Sequence, residues 1–566
     1  MNIAPARTLT LTPGGQAQFR FPFEQELIDD LKQTIPGVTW NGTLRAFTVR
    51  VRAANIRAIT AFASAHGFAG ASAAATAQER LFSAVRETIS ASRAEDAAFT
   101  PPATLRGTLL PFQRAGVAYA VAARRCLIAD EMGLGKTVEA IATLESLGAF
   151  PAVIVAPAGL LLNWEQELAA WLPHRAVMIA GLPDTLDRTP DIILISYDLL
   201  PDHVTGLRTL DLRGVVFDEG HLLKTHDSQR TLAAKELRRG VDVRLLLTGT
   251  PVLNRAAELL APLCILGRLD DLGGFEHFRE RYCGPQDVER RQRGAVAKIM
   301  VRDYTGSSNL AELAARLRAT CMVRRRKRDV LPELPPKRLA RLPVDLPAAV
   351  RAEYDLAQRD VLDWIAARAG RDPEFRALLH GLDEEAKIMA VLHRAQHAAD
   401  RAAQAEELVR LNALRQIAAR GKLDAAQEWI GNFLASGEKL VVFAWHRETL
   451  AALAAAFPGT PIIDGDTPAA SRQAAVERFQ SDRAMPLLFA NLQAGGVGLT
   501  LTAASNVLVL ELPWTPALLD QAIDRVHRIG QSSSVTAWLM LGRRTIDYPL
   551  WKMLQKKRQT TEAATR

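Results

Sequence analysis

Between Leu127 and Thr137 the chain reads LIADEMGLGKT, and Gly135-Lys136-Thr137 is the ending of a phosphate-binding loop. Gly133 and Gly135 let backbone N–H groups turn toward one point, and a helix starting near Val138 adds the positive end of its dipole. Lys136 supplies a full positive charge for β and γ phosphates, and Thr137 a hydroxyl for Mg²⁺. Asp130 stands where this pattern usually begins with glycine. Asp130, Met132, Gly133, Leu134, Gly135, Lys136 and Thr137 are thus the expected contacts to a nucleoside triphosphate. The bland alternative is a glycine-rich strand–helix turn without ligand.

A second group is Val215-Val216-Phe217-Asp218-Glu219-Gly220-His221, an apolar strand ending in two adjacent carboxylates. An acid at a strand's C-terminal end suits the Mg²⁺ ligand of a phosphate-loop ATPase, which makes Asp218 the candidate. Glu219 beside it would polarise an attacking water. Far downstream, a glycine-rich turn holds Gly496 and Gly498, and 520–531 reads DQAIDRVHRIGQ. Arg525 and Arg528 are three apart, so on a helix they share a face. Two guanidinium groups there would neutralise charge growing on a γ-phosphate. Read alone, the same pair is a solvated basic face.

These groups need strands that end at one place. From 105 to about 251, short apolar runs alternate with helical stretches, with strands expected at 125–129, 152–156, 192–195, 215–217 and 244–247. A second series follows at 439–444, 461–463, 486–490 and 506–510. Continuously apolar strands between helices indicate parallel sheets covered on both faces. Residues 255–418 read as mostly helical, with basic clusters such as Arg324-Arg325-Arg326-Lys327-Arg328. The N-terminal part reads as a small α+β module: strand-like pieces around Phe19, Trp40 and Phe47, and two amphipathic helices. The expected division is 1–75 for that module, 76–104 for a helical connector and 105–335 for the first α/β lobe. A helical insertion and linker follow at 336–420, and the second lobe spans 421–566.

Bulk properties narrow the class. A chain of 566 residues exceeds one hydrophobic core, so about three or four domains are expected. Four scattered cysteines without a CxxC pair argue against a zinc ribbon or disulfide scaffold. No apolar run reaches the roughly 18 residues of a membrane span, and the opening residues lack a signal-like apolar stretch. The net charge of +8 favours an anionic partner.

The fixed order of these motifs resembles the superfamily 2 helicase-like ATPases, specifically the Swi/Snf-type DNA translocases. DEMGLGKT and DEGH are similar to that family's phosphate loop and DExH box. LLPFQRAGV, with Gln113, is similar to its adenine-recognition motif. Ala156-Pro157 with Asn163-Trp164, Ile195-Ser196-Tyr197-Asp198, LTGTP, GGVGLTLT and QAIDRVHRIGQ follow in register across 105–557. The resemblance implies two RecA-like lobes, ATP and Mg²⁺ as cofactors, and Gln113 as adenine reader. It implies DNA contacts at Asn163, Ser196, Tyr197 and Thr500, and coupling through Thr248, Gly249, Thr250 and Gln521. Pro251-Val252-Leu253-Asn254-Arg255, the run from Met322 to Lys337, Ile463-Asp464-Gly465-Asp466-Thr467 and the segment from Thr545 to Trp551 resemble the annealing-helicase branch. The N-terminal module is similar to that branch's HARP module, used on branched DNA, although Trp40 and Phe47 read equally as core residues.

The resemblance therefore implies an ATP-dependent translocase on duplex or forked DNA, remodelling branches or annealing strands, with single-strand-binding or repair proteins as further partners. Its location would be cytoplasmic, at the nucleoid, in a bacterium and nuclear in a eukaryote. The alternatives are a strand-separating helicase on DNA or RNA, or a nucleotide-gated DNA-binding subunit.

Overall fold

A computed structural model describes residues 7–52, 55–181, 190–249, 255–291, 298–304, 306–371, 373–395, 401–493 and 499–563. Its N-terminal module is a four-stranded antiparallel sheet of β1 (Thr8–Leu11), β2 (Gln16–Arg20), β3 (Thr39–Asn41) and β4 (Ala46–Arg50), in the order β1-β2-β4-β3. Helices Gln25–Thr34 and Ile56–Ala65 close its core through Leu27, Leu31, Ile59 and Phe62, packed with Phe19 and Phe47. Phe47 is buried, whereas Trp40 is 57% exposed with its ring edge-on to Phe47 at 5.0 Å. The expected connector is one continuous helix, Ala71–Arg93. Its Leu81 and Phe82 pack on the module, and Ser92 Oγ donates to the carbonyl of Met322 at 2.7 Å. One helix thus joins two cores.

The first lobe is a parallel sheet of β5 (Arg125–Ile128), β6 (Ala152–Ala156), β7 (Val177–Ile179), β8 (Ile192–Ser196), β9 (Gly214–Phe217), β10 (Val243–Leu247) and β13 (Met322–Val323), in the order β13-β5-β10-β9-β6-β8-β7. Alternate residues of one strand enter opposite cores: Val153 and Val155 on one face, Ala152 and Ile154 on the other. That two-sided burial is why the strand reads as an unbroken apolar run. An isolated antiparallel hairpin, β11 (Gln286–Arg291) with β12 (Lys298–Asp303), interrupts the stretch expected to be mostly helical.

The second lobe is a parallel sheet of β14 (Lys337–Val344), β15 (Leu440–Ala444), β16 (Ile462–Ile463), β17 (Leu487–Asn491), β18 (Asn506–Val509) and β19 (Val535–Gly542), in the order β14-β19-β18-β15-β17-β16. The segment 336–420 therefore opens with a strand before the helices expected there. β14 pairs with β19 over eight residues, from Lys337↔Val535 to Val344↔Gly542. As an edge strand it exposes Arg338, Arg341 and Pro343, and this half-polar pattern conceals it among helices. No described helix is long and apolar enough to cross a membrane.

Candidate active site between the lobes

Adjacent strands β5, β10 and β9 end side by side, so the loops that follow them meet. After β5 the phosphate loop turns at Gly133 (φ 84°) and Gly135 (φ 87°), and Gly135 caps the helix Lys136–Leu147. Lys136 Nζ donates to the Asp130 carbonyl at 3.0 Å. Burial pushes its ammonium pKa down, opposed by the charges of Glu219, Asp130, Asp218 and Glu139. After β10 comes Gly249; a Cβ there would lie 2.5 Å from Met132 Cγ and 3.5 Å from Lys136 Nζ, so only glycine fits this approach. Thr248 beside it is buried. Thr250 lies outside the described residues, as do Gly496 and Gly498.

After β9, Asp218 accepts from Trp164 Nε1 and from the Glu219 backbone N–H, both at 2.8 Å. Burial first, then the neighbouring Glu219, raises its carboxyl to about 6. Glu219 itself sits in the left-handed region at φ 48°, a strained conformation of the kind found at functional sites. Burial would raise its pKa, but His221, Lys136 and Arg525 outweigh it and hold it low. His221 Nδ1 stands 3.2 Å from its carboxylate.

Three parts of the second lobe close on this cluster. Gln521 Nε2 reaches Glu219 Oε1 at 3.4 Å. Arg525 is held down to about 10 by burial and by Arg528, with Glu219 and Asp218 opposing. Arg528 packs on the phosphate loop so closely that a Cβ on Gly133 would lie 2.8 Å from Arg528 Cβ. Its Nη1 donates to Thr500 Oγ1 at 2.8 Å and Leu499 O at 3.2 Å, and Glu167 of the first lobe lies in its field. The shared helical face expected for the two arginines is not formed. The helix Pro516–Ile523 ends before them, and the N–H groups of Arg525 and Val526 bond three residues back, to Ala522 and Ile523. Turns replace the helix there; Arg528 bonds the 499–500 segment, while Arg525 lies in the field of Glu219 and Asp218.

Other expected site residues serve as supports. The Asp130 carboxylate is taken up by Arg325, through its backbone N–H at 2.8 Å and its guanidinium. That guanidinium also meets Glu139 at 2.5 Å. Asp130 therefore offers the site its main chain, while its side chain anchors the loop. The Gln113 amide bridges Leu110 N–H and Leu134 O, each at 3.0 Å, bracing the loop from behind. Ser196 and Tyr197 are buried and do not face outward for DNA. The Tyr197 hydroxyl donates to the Asp218 carbonyl at 2.7 Å, and Ser196 Oγ accepts from Leu199 N–H. Asn163 is half-buried on the helix Leu161–Trp171.

The residues present fit a magnesium nucleotide. Each Asp218 oxygen accepts one N–H and keeps lone pairs for a cation, and a divalent ion would offset the burial and the Glu219 charge that raise its pKa. Thr137 follows Lys136 at the start of the helix. Among the described residues no group of three or more His, Cys, Asp and Glu could hold a metal. A cavity of about 700 Å³ opens beside the loop, lined by Met132, Gly249, Lys327, Leu331 and Asp524 among others. On the side of the lobe boundary where β6 ends, Arg472 of the second lobe approaches the first, its Nη1 2.6 Å from where a Cβ on Gly159 would be. Arg472 carries no signal in the sequence, and Arg325 and Lys327 read there as members of a basic cluster without a site role. Trp164 was visible in its motif but without a role.

A family model for the SNF2-related domain matches residues 50–393, and one for the helicase conserved C-terminal domain matches 421–530. The DNA annealing helicase and endonuclease ZRANB3 of Mus musculus is 32% identical over 476 residues, covering 81% of this chain and 41% of that protein. The SWI/SNF-related matrix-associated actin-dependent regulator of chromatin subfamily A-like protein 1 of Xenopus laevis is 31% identical over 486 residues, 83% of this chain and 46% of its own length. The chain thus spans less than half of each of these two relatives. Among solved structures, the Sulfolobus solfataricus SWI2/SNF2 ATPase core in complex with dsDNA is 24% identical with a TM-score of 0.38, covering 82% of this chain and 94% of that one.

Proposed function

The chain belongs to the SNF2-related family, and from that premise we propose that it is an ATP-driven translocase on double-stranded DNA that remodels branched DNA or anneals complementary strands. The observation that carries this reading is the composite site. Arg525 from the second lobe lies in the field of Asp218 and Glu219 from the first, and Gln521 reaches Glu219. A triphosphate bound there would be shared between lobes, so its hydrolysis would change how tightly they close.

In this reading the loop from Met132 to Thr137 and the Lys136 ammonium bind the phosphates, with Thr137 and Asp218 holding Mg²⁺. When bound, that ion supplies charge neutralisation at the phosphate oxygens. Glu219, kept ionised, orients the attacking water and accepts its proton. Arg525 meets charge developing on the γ-phosphate, and Arg528 fixes the Thr500 turn on the loop. Thr248, Gly249 and Gln521 carry the state of the nucleotide to the lobe boundary. Asn163, Thr500 and Arg472 line the DNA track, with contacts that fall mainly on phosphate and are therefore sequence-independent and salt-sensitive. Ser196 and Tyr197 act one step behind, by placing Asp218. The N-terminal module offers exposed Trp40 to unpaired bases at a branch.

Rates of ATP hydrolysis with no nucleic acid, single strands, blunt duplex, forked DNA and RNA test the proposal. Stimulation should be strongest with duplex or forked DNA. Equal stimulation by RNA would overturn it.

A further inference from the structure

Lys327 belongs to a basic run whose neighbour Arg328 is exposed, yet Lys327 itself is buried at the lobe boundary. Its ammonium stands 3.1 Å from Asp524, the residue that immediately precedes Arg525. We propose that Lys327 is a positioning residue of the hydrolytic site: by holding Asp524 across the boundary it sets the turn that presents Arg525 and Arg528 to the phosphate loop. This rests on the reading of Arg525 as the residue that meets phosphate.

Asp524 occupies the C-cap of the helix Pro516–Ile523, where helix carbonyls already gather negative charge and a carboxylate is disfavoured. Burial adds to that cost. Burial pushes the carboxyl pKa up, and Lys337 and Lys327 outweigh it and hold it at about 2. The two lysines differ in their anchorage. Lys337, at 2.8 Å, begins β14 and so pairs with Asp524 inside one lobe. Lys327 is fixed to the other lobe. Its backbone N–H donates to Glu131 Oε2 at 2.8 Å, and the short helix it begins leads to Leu331, packed with Phe112 and Leu134.

Lys327 also grips the far end of the turn, its ammonium donating to the His527 carbonyl. Its Cε lies 3.3 Å from where a Cβ on Gly133 would be. One side chain from the first lobe therefore touches both ends of 524–527, with Arg525 between, and lies against the phosphate loop. His527 adds a further tie, its Nε2 lying 2.8 Å from the carbonyl of Pro335 at the end of the first-lobe span. Withdrawing Lys327 leaves Asp524 neutralised by Lys337, so charge balance inside the second lobe survives while the tie from the first lobe to Asp524 is lost.

Lys327→Met keeps the apolar stem, and thermal denaturation verifies that it folds. In hydrolysis without DNA, its kcat should fall on the order of 100-fold with the ATP KM nearly unchanged. Lys327→Arg should recover most of the loss, and exposed Arg328→Met should match wild type. A second readout does not depend on turnover: donor and acceptor dyes at Asp202→Cys and Glu448→Cys, both exposed, report lobe approach. A non-hydrolysable ATP analogue should draw the dyes together in wild type and fail to do so in Lys327→Met. A Lys327→Met enzyme with wild-type kcat and wild-type closure would overturn the inference, as would Lys327→Arg failing as completely as Lys327→Met. A wild-type enzyme that hydrolyses ATP but ignores DNA would overturn the translocase reading instead, and the Lys327 comparison would still decide the latch.

Discussion

Replacing Arg325 by methionine distinguishes internal scaffolding from a DNA-facing patch. Its side chain is 2% exposed and lies between Asp130 and Glu139, both fully buried, with its charge 5.6 Å from the Phe112 ring. Gly116 leaves the room: a Cβ there would collide with the Glu139 carboxylate and the Arg325 guanidinium. Methionine preserves most of the stem packing and removes only the cation, leaving two buried carboxylates side by side beneath the phosphate loop. Breaking a buried ion pair from one side costs about 3–5 kcal/mol. For a lobe of this size that corresponds to roughly 6–20 °C in the midpoint of its unfolding. Arg328→Met is the control, because that side chain is 69% exposed and pairs with neighbouring Asp329; its effect should stay within about 0.5 kcal/mol. Calorimetry resolves the first-lobe transition, and duplex binding at several salt concentrations measures the alternative. If Arg325→Met leaves the transition unmoved and instead weakens salt-dependent DNA binding, the burial argument is wrong.

Four further outcomes follow from the same packing. Phe47→Ala should destabilise the N-terminal module by about 3–5 kcal/mol. Trp40→Ala should cost about 1 kcal/mol or less and selectively weaken binding to branched DNA, read by denaturation and by gel shift with forked and blunt duplexes. Lys422→Met should destabilise the second lobe by about 3–5 kcal/mol, because its buried ammonium holds Asp547 and the carbonyls of Leu510 and Met540 together. Tyr197→Phe should lower thermal stability by the equivalent of about 1 kcal/mol and slow hydrolysis through the displaced Asp218, without changing duplex affinity.

Most of the architecture was legible because both sheets are buried on two faces. The strands near 125, 152, 192, 215, 244, 440, 487 and 506 are short, mainly apolar runs, the pattern of strands covered on both faces. β14 was hidden because an edge strand carrying Arg338, Arg341 and Pro343 lacks that signature, and β13 because two residues give no period. At the site, spacing identified which residues gather but not which way they face. Asp130, Gln113, Ser196 and Tyr197 all lie at the cluster, yet each spends its side chain on bracing. Arg525 and Arg528 do not share a helical face because the helix stops at Ile523, which a local i, i+3 rule cannot foresee; the Asp524 carboxylate at that end is held by lysines nearly two hundred residues earlier. The basic run showed no site role in the sequence for the same reason. Charge in sequence reads as surface until its buried partners are known.

The central claim, that one nucleotide is shared between the lobes, is tested most directly by single-turnover ATP hydrolysis with saturating duplex in Arg525→Ala beside Lys136→Ala. Both variants should bind duplex like wild type and lose hydrolysis together, although their mutated side chains come from different lobes. Hydrolysis at the wild-type rate in Arg525→Ala would contradict the account.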